Sequence, residues 1–386
     1  MVNGDMIFTS ESVTRGHPDK LCDQISDAVV DAFLRQDPKA RITAECAIAT
    51  GVVFVAARFS GEASVDIPQL ARRVIAEAGY EKHVFDAQRA SILTSFSEVE
   101  SPAGPLHPQS PADEQVNAFG YACDDCETLM PLPIDLAHRF ARRLDDARNE
   151  CPDLGPDGKV QVSVQYKDGR PVAIADIAVT SALLQQLAPS DHEAIIRDLV
   201  LAPPLPGGHP VRVTAATRLH VNPGGSFLYG GPAHHAGLTG RKTGIDTYGD
   251  FARQSGSALS GKDIGRIDRT GAYMARLAAK AIVAAGLARR AEVHLAYAIG
   301  EAEPSSLAVN CFGTSQVAEA EIGRRLSALL DFRPGAIAER FAFAERVARA
   351  GTEGFFRPLA CYGHMGRADL DVPWEDAVDL AEALRR

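Results

Sequence analysis

Three side chains that can handle a metal-bound phosphate stand close together near the start of the chain. The segment GHPDK (Gly16–Lys20) precedes an apolar pattern with helical spacing. Asp19 can bind Mg²⁺ through oxygen, Lys20 can neutralise a phosphate, and His17 can donate a hydrogen bond to one, all beside the free N–H groups that begin a helix. Ordinary helix capping beside solvated charges is the alternative interpretation, so the motif needs support from other segments.

A second candidate is the glycine-rich stretch GGPAHHAGLTGRKTGIDTYGD, residues 230–250. Its glycines allow close approach of the backbone, and Arg241 and Lys242 supply adjacent cations, a combination that suits an anion. A tight turn with a solvated basic pair is equally compatible with this pattern.

A near-match to a P-loop follows in GSALSGKD, residues 256–263. Asp263 stands where a hydroxyl should bind Mg²⁺, and no buried strand precedes the segment, so we exclude the P-loop. Lys262 and Arg266 nevertheless add positive charge, and Asp268 adds a second carboxylate that could hold a metal.

These segments together contain the side chains of a Mg-triphosphate site. If they converge, the site would stabilise negative charge on a departing polyphosphate through fixed cations and a metal. The set comprises His17, Lys20, Arg241, Lys242, Lys262 and Arg266, with the carboxylates Asp19 and Asp268.

Composition excludes several classes of protein. The chain has 386 residues, 46% of them hydrophobic, which is enough for a large core in one or a few compact units. A formal net charge of -10 argues against a broad nucleic-acid surface. The first residues have no leader pattern and no run approaches ~18 apolar residues, so we expect a cytoplasmic protein without a membrane partner. The Cys123/Cys126 pair lacks the second pair that structural zinc requires.

The periodicity of the sequence predicts both helices and strands. Residues 21–35 and 67–80 have apolar side chains at helical spacing, and Gly79 ends the second pattern. Strands are predicted where alternating, β-branched residues recur, in residues 40–61, 159–181 and 210–232. We therefore expect an α+β fold with antiparallel sheet.

Two connecting segments have distinct signals. Lys167-Asp168-Gly169, between alternating runs, predicts a β-hairpin. Residues 97–118 are rich in Pro, Ser, Gly and acidic residues without periodicity, which predicts a long loop. A loop of this length usually has a function or is disordered.

A family resemblance runs through nearly the whole chain. Several segments carry it: FTSESVTRGHPDKLCDQISDAVVDAFL, GPDGKVQVSVQY, the GGP and GLTGRK elements with DTYGD, SGKDIGRIDRTGAYMAR, YAIGEAEPSS and YGHMGR. In their order and spacing, these segments resemble the S-adenosylmethionine synthetase family. The resemblance implies three similar α/β domains with mixed or antiparallel sheets and helices on one face, at residues 1–103, 112–230 and 231–386. It also implies a homodimer or dimer of dimers whose active site is shared between two subunits, with two Mg²⁺ and one K⁺. The resemblance further implies that the loop at residues 97–118 gates the active site.

The resemblance also implies a reaction and roles for residues. The methionine sulfur attacks C5′ of ATP and displaces triphosphate, which is hydrolysed to pyrophosphate and phosphate. Asp19 and Asp268 would hold Mg²⁺, and Glu45 would lie near K⁺. The implied ATP and phosphate ligands are His17, Lys20, Asp157 (ribose), Lys159, Phe227 and Ile299 (adenine), Arg241, Lys242, Lys262 and Arg266. Among these, His17, Lys159, Arg241 and Lys262 would be catalytic.

The sequence departs from the family pattern where the acceptor should bind. Arg58, in Ala56-Ala57-Arg58, replaces the Glu of Gly-Gly-Glu, so a carboxylate for the methionine ammonium has become a cation. Val99 replaces a Gln that touches methionine, His235 replaces an Asp, and Glu114 occupies the Asp position of the gating loop. Losing a charge-assisted hydrogen bond costs roughly 1.5–3 kcal/mol.

Three functions are compatible with this pattern. The first is S-adenosylmethionine formation, with Glu114 and its neighbours rebuilding the methionine site. The second is adenosyl transfer from ATP to a non-methionine nucleophile in a specialised pathway. The third is a triphosphatase or a non-catalytic partner subunit, although a scaffold has no use for His17 and both metal carboxylates.

Overall fold

The computed structural model describes residues 5–99, 106–205 and 209–386. Its strands, in chain order, are β1 (Met6–Val13), β2 (Arg41–Ala49), β3 (Val52–Ser60), β4 (Ser91–Glu98), β5 (Val116–Cys123), β6 (Leu154–Lys167), β7 (Arg170–Leu183), β8 (Arg218–Val221), β9 (Gly237–Leu238), β10 (Arg290–Tyr297) and β11 (Ser306–Asn310). Its helices are α1 (Pro18–Gln36), α2 (Ile67–Ala78), α3 (Leu132–Asp146), α4 (Pro189–Ile195), α5 (Thr243–Asp246), α6 (Ile267–Ala284), α7 (Glu319–Leu329), α8 (Pro334–Arg340), α9 (Phe343–Arg349) and α10 (Val378–Arg385).

The strands form three sheets, each combining distant parts of the chain. Their orders are β1-β6-β7-β8, β11-β10-β5 and β4-β3-β2-β9. Pairing is antiparallel except between β3 and β4 and between β7 and β8. The expected α+β fold with mixed and antiparallel sheets is therefore confirmed.

Each sheet packs against one long helix. Helix α1 packs on β2, α3 packs on β1 and β6, and α6 packs on β5 and β10. Almost all of α1 and α6 is buried, including most of their charged residues. These helices therefore form the centre of the molecule, and a side chain at their N-terminal ends is held rigidly.

Local predictions of helix and turn are confirmed. The pattern at residues 21–35 lies within α1, which begins earlier because Pro18 suits the first helical position. Helix α2 ends before Gly79, which adopts a left-handed conformation. The turn between β6 and β7 has positive φ at Asp168 and Gly169, as a tight hairpin requires.

The predicted gating loop is shorter than residues 97–118. Strand β4 extends to Glu98, and β5 begins at Val116. Residues 100–105 of this loop, like residues 1–4 of the predicted first domain, lie outside the described residues. Among the described residues, no helix combines the length and apolar character needed to cross a membrane.

Candidate active site

The N-terminal end of α1 carries a histidine that contacts two groups from distant segments. His17 is the N-cap, and its Nδ1 accepts from the Asp19 N–H over 3.2 Å. Its ring lies 4.9 Å from the ring of His235, whose Nε2 is 3.0 Å from Oδ2 of the buried Asp157. These three side chains, which come from α1, β6 and the segment before β9, line one side of the site.

The two histidines differ in protonation. Burial lowers the pKa of His17 to about 4, despite the nearby charges of Asp157 and Asp19. The hydrogen bond with Asp157 raises the pKa of His235 above its ordinary value. At neutral pH, His17 is therefore a neutral imidazole, and because its Nδ1 accepts a hydrogen bond, its Nε2 is left to donate.

The Asp19 carboxylate joins the glycine-rich segment to α1. Its Oδ1 accepts from the Leu238 N–H over 3.0 Å, and its Oδ2 accepts from Lys242 Nζ over 2.8 Å. Arg241 is next to it, with Nη1 3.7 Å from Oδ1. Burial alone would raise the pKa of Asp19, but the bonds from Lys242 and Leu238 hold it below 3.8.

Close backbone packing makes this arrangement possible. A Cβ on Gly237 would lie 2.2 Å from the Pro18 carbonyl oxygen, so β9 can approach the start of α1 only with glycine there. The next residues then carry Arg241 and Lys242 to the helix end. This close contact is what places Arg241 and Lys242 beside Asp19.

A second charged cluster lies at the start of α6. Lys262 Nζ donates to Asp268 Oδ2 over 2.7 Å, and the Lys262 backbone forms a bridge to Thr43 of β2. Burial lowers the pKa of Lys262, although Asp268 opposes the shift. This pair offers a cation and a carboxylate beside the edge of β2.

A cavity of about 610 Å³ opens beside the second cluster. Residues of β2, β3 and β4 line it, together with residues of the segments after β4, before β5 and before α6. They are Arg41, Ile42, Thr43, Glu45, Ala56, Ala57, Arg58, Phe59, Ser60, Ser95, Ser97, Val99, Asp113, Asp263 and Arg266. Three of the positions predicted to bind the acceptor or K⁺, namely Arg58, Val99 and Glu45, are thus brought together. His235 and Glu114 are not among the lining residues. Glu114 Oε2 accepts from Nη2 of Arg266, which does line the cavity, over 3.3 Å.

Sequence comparisons identify the family. Family models for S-adenosylmethionine synthetase match three consecutive stretches: the N-terminal domain at residues 5–101, the central domain at 109–227 and the C-terminal domain at 229–376. An S-adenosylmethionine synthase of Synechococcus sp. (strain RCC307) is 44% identical over 98% of this chain and 99% of its own. One of Prochlorococcus marinus (strain MIT 9303) is 44% identical over 98% of this chain and 96% of its own.

The chain belongs to the S-adenosylmethionine synthetase family. The family resemblance drawn from the motifs is confirmed, as is the prediction of a methionine adenosyltransferase-like transferase. S-adenosylmethionine synthetases generally depend on Mg²⁺ and K⁺, which agrees with the metals expected from the sequence.

The remaining residues expected from the family are Lys159, Phe227 and Ile299. Lys159 on β6 forms an ion pair with Glu11 of β1. The Phe227 ring contacts the ring of His234 edge-on. Ile299 is 61% exposed in the turn after β10. Among the described residues, no hydrogen bond or ring contact joins Phe227 or Ile299, the two expected adenine contacts, to His17.

The buried position of Lys20 does not suit a phosphate ligand. Its side chain is fully buried, where Nζ donates to Asp23 Oδ2 over 2.9 Å and to Asp246. Burial alone would lower the pKa of Lys20, but the two carboxylates outweigh burial and raise it. Since nothing of this ammonium reaches the cleft, direct phosphate binding finds no support in this geometry, and Lys20 instead holds α5 against α1.

Two functional side chains escaped the sequence analysis. Asp113 accepts from Arg41 Nη2 and from Arg266 Nη1, each over 3.0 Å. Arg41 also donates to the buried Asp263 over 3.2 Å. Arg41 begins a predicted strand and Asp113 lies in a polar segment, and the only signal was the position of Asp113 next to Glu114 in the expected gating loop.

Proposed function

We propose that this chain forms S-adenosylmethionine from ATP and methionine, releasing triphosphate that is then hydrolysed to pyrophosphate and phosphate. The observation that carries the proposal is the convergence of His17, Asp19 and Lys242 at the rigid start of α1. A neutral donor, a metal-type carboxylate and a cation are the groups that a departing triphosphate requires.

The bond changes define what the site must stabilise. The methionine sulfur forms a bond to C5′ of ATP while the bond from C5′ to the triphosphate oxygen breaks, and its electrons remain on that oxygen. The product is a sulfonium, and the leaving group is a polyanion. His17, through Nε2–H, is suited to donate to the leaving oxygen because the Asp19 N–H fixes its ring and its tautomer.

The cations proposed to bind triphosphate form ion pairs with carboxylates of the chain. Lys242 pairs with Asp19, Lys262 with Asp268, and Arg266 with Asp113. These pairs keep the partly buried cations neutralised before ATP binds. Binding of Mg-ATP would exchange each carboxylate for a phosphate oxygen, and would leave Asp19 and Asp268 free to bind metal.

The carboxylates fit the metals expected for the family. Asp19 and Asp268 are nearly fully buried and offer hard oxygen atoms, the donors that Mg²⁺ prefers. Mg²⁺ held there supplies positive charge for the triphosphate oxygens. Glu45, exposed on β2 at the 610 Å³ cavity, would contribute an oxygen beside K⁺.

An exposed apolar face supports a homodimer. Val52 and Phe54 on β3 and Leu93, the β4 partner of Phe54, share one face of the sheet and are each more than two-fifths exposed. The cavity with Arg58 opens on the same sheet. A second copy covering this face would bury the apolar residues and complete the walls of the cavity, so that the active site would be shared between subunits.

The test is product analysis. Purified protein is incubated with ATP, Mg²⁺ and K⁺, with and without methionine, and adenosylated product, triphosphate, pyrophosphate and phosphate are identified by mass spectrometry. S-adenosylmethionine, pyrophosphate and phosphate that appear only with methionine are the expected result. ATP cleavage that leaves methionine unmodified would contradict the proposal.

A further inference from the structure

His17, Asp157 and His235 form a compact group of metal-type ligands. His235 Nε2 and Asp157 Oδ2 are 3.0 Å apart, and one ligand atom from each of the three residues lies within 4.8 Å of the others. His17 and Asp157 are buried, whereas His235 is partly exposed, so the group is open to solvent on one side. One ion entering from that side could contact all three.

The donor types favour a transition metal over Mg²⁺. Two imidazoles and one carboxylate are the ligands of Zn²⁺ and of other borderline divalent ions, whereas Mg²⁺ prefers oxygen atoms alone. Three protein ligands with one side open are typical of a Zn²⁺ site whose fourth position is taken by water or a substrate. The Asp19 and Asp268 carboxylates therefore belong to a different class of site.

The surrounding backbone holds Asp157 in place. The Gly231 N–H donates to Asp157 Oδ2 over 2.8 Å, and a Cβ on Gly230 would lie 2.9 Å from the Asp157 Cβ. Asp157 itself lies where the register between β6 and β7 shifts, between Leu154 and Gly158. Such support of a ligand from outside the ligand shell is typical of metal sites.

We propose that His17, Asp157 and His235 bind a borderline divalent transition-metal ion, for which Zn²⁺ is the probe, and that this ion competes with ATP. The competition rests on the function proposed above, in which His17 donates to the leaving oxygen of ATP, and on the ribose contact that the family resemblance implies for Asp157. The binding itself does not rest on it, since it needs only the three side chains.

The tautomer of His17 explains why the two uses exclude each other. Donation to a leaving oxygen requires the proton on Nε2, with Nδ1 accepting from the Asp19 N–H. Metal binding at Nε2 instead requires the proton on Nδ1, which lies 3.8 Å from Asp19 Oδ2 and could donate to it after a small rotation. A carboxylate behind a metal-bound imidazole is a common arrangement.

The experiment measures metal binding without substrates. Zn²⁺ is titrated into metal-free protein against a chromophoric chelator, for the wild type and for His235→Asn, which keeps a hydrogen-bonding group near Asp157. His234→Asn, at the neighbouring exposed position, is the matched control. We expect the wild type and His234→Asn to bind one Zn²⁺ per chain with equal affinity, and His235→Asn to bind at least about tenfold more weakly.

Co²⁺ and ATP complete the test. The absorption of bound Co²⁺ should lack a thiolate charge-transfer band, which separates this site from binding by cysteines. Zn²⁺ should weaken ATP binding, measured by calorimetry, in the wild type but not in His235→Asn. Equal Zn²⁺ affinity in the wild type and His235→Asn, or a thiolate band, would overturn the site. If Zn²⁺ binds as expected but ATP binding is unaffected, the competition is wrong while the metal site stands, whatever the product analysis gives.

Discussion

The Arg266 guanidinium donates to the Asp113 carboxylate over 3.0 Å and so ties the segment before β5 to the start of α6. The same Asp113 oxygen accepts from Arg41. A cation expected to bind phosphate is thus held by the segment expected to gate the site. The contact of that segment with Arg266 and the binding of triphosphate therefore compete for the same cation.

Asp113→Asn should strengthen triphosphate binding by up to about fivefold, because a partly exposed ion pair contributes about 0.2–1 kcal/mol. Calorimetric titration with triphosphate and Mg²⁺ measures this change. Asp124→Asn is the matched control, since Asp124 also accepts from two arginines, Arg170 and Arg289, at the opposite end of β5. Weaker binding by Asp113→Asn than by Asp124→Asn would contradict the competition.

His17→Asn should lower kcat by about 10²–10³-fold, the usual effect of removing one donor to a developing oxyanion. Asparagine also caps helices well, so the melting temperature should change little. Steady-state kinetics with ATP and methionine, together with thermal unfolding, separate the two effects. His234→Asn should retain wild-type kcat, and a comparable loss in that variant would contradict a specific role for His17.

Lys20→Met should destabilise the fold by about 3–5 kcal/mol, because it leaves Asp23 and Asp246 buried without their cation. Urea unfolding measures the loss, and Lys167→Met, at an exposed turn, should have almost no effect. Lys20→Met combined with Asp246→Asn should recover part of the stability. A Lys20→Met protein of normal stability but weak ATP binding would instead support direct contact with phosphate.

Acid should weaken one buried ion pair. Burial alone would raise the pKa of Glu375, but Arg276 and Lys280 outweigh it and hold this pKa below 4.5. The stabilisation is thus present above pH 4.5 and is lost as pH falls through the lowered pKa. The melting temperature of the wild type should exceed that of Glu375→Gln by several degrees at pH 7 and by less at pH 4. Glu382→Gln, exposed on α10, should match the wild type at both.

Arg58→Glu should lower the KM for methionine about tenfold, because the carboxylate would replace a cation in the 610 Å³ cavity with a partner for the substrate ammonium. The KM for ATP should stay the same. Arg89→Glu, at a surface arginine with an 88% exposed side chain, controls for the change in net charge. An unchanged methionine KM, both in Arg58→Glu and in Arg58→Glu combined with His235→Asp, would show that Arg58 does not face the acceptor.

Local features were predictable from the sequence because their causes lie within a few residues. Pro18 and the apolar spacing after it determine the start of α1, and Gly79 and Gly169 supply the left-handed conformations that end a helix and close a hairpin. The motifs also indicated that Asp19 and Lys242 share a site. These residues are 223 positions apart in the chain, and their side chains form a hydrogen bond, as we expected if the two segments converge.

The sequence alone did not reveal which polar residues are buried. In α1, Lys20, Asp23, Asp27 and Asp31 recur at helical spacing and resemble a solvated face, yet all four are buried. Apart from the contact between Lys20 and Asp23, their partners, such as Arg269 for Asp27, come from segments more than 200 residues away. Burial of a helix on all sides depends on how three sheets assemble around it, and no local pattern encodes that.

The chemistry of the site was therefore determined by sequence and its geometry by tertiary structure. Residue types determined that the chain has a histidine, carboxylates and cations suited to triphosphate. Only the packing of β9 against α1 decided that His235 lies beside Asp157 and His17, and only the segment before β5 decided that Asp113 holds Arg266. Both contacts join residues far apart in the chain, so they exist only once the core has formed.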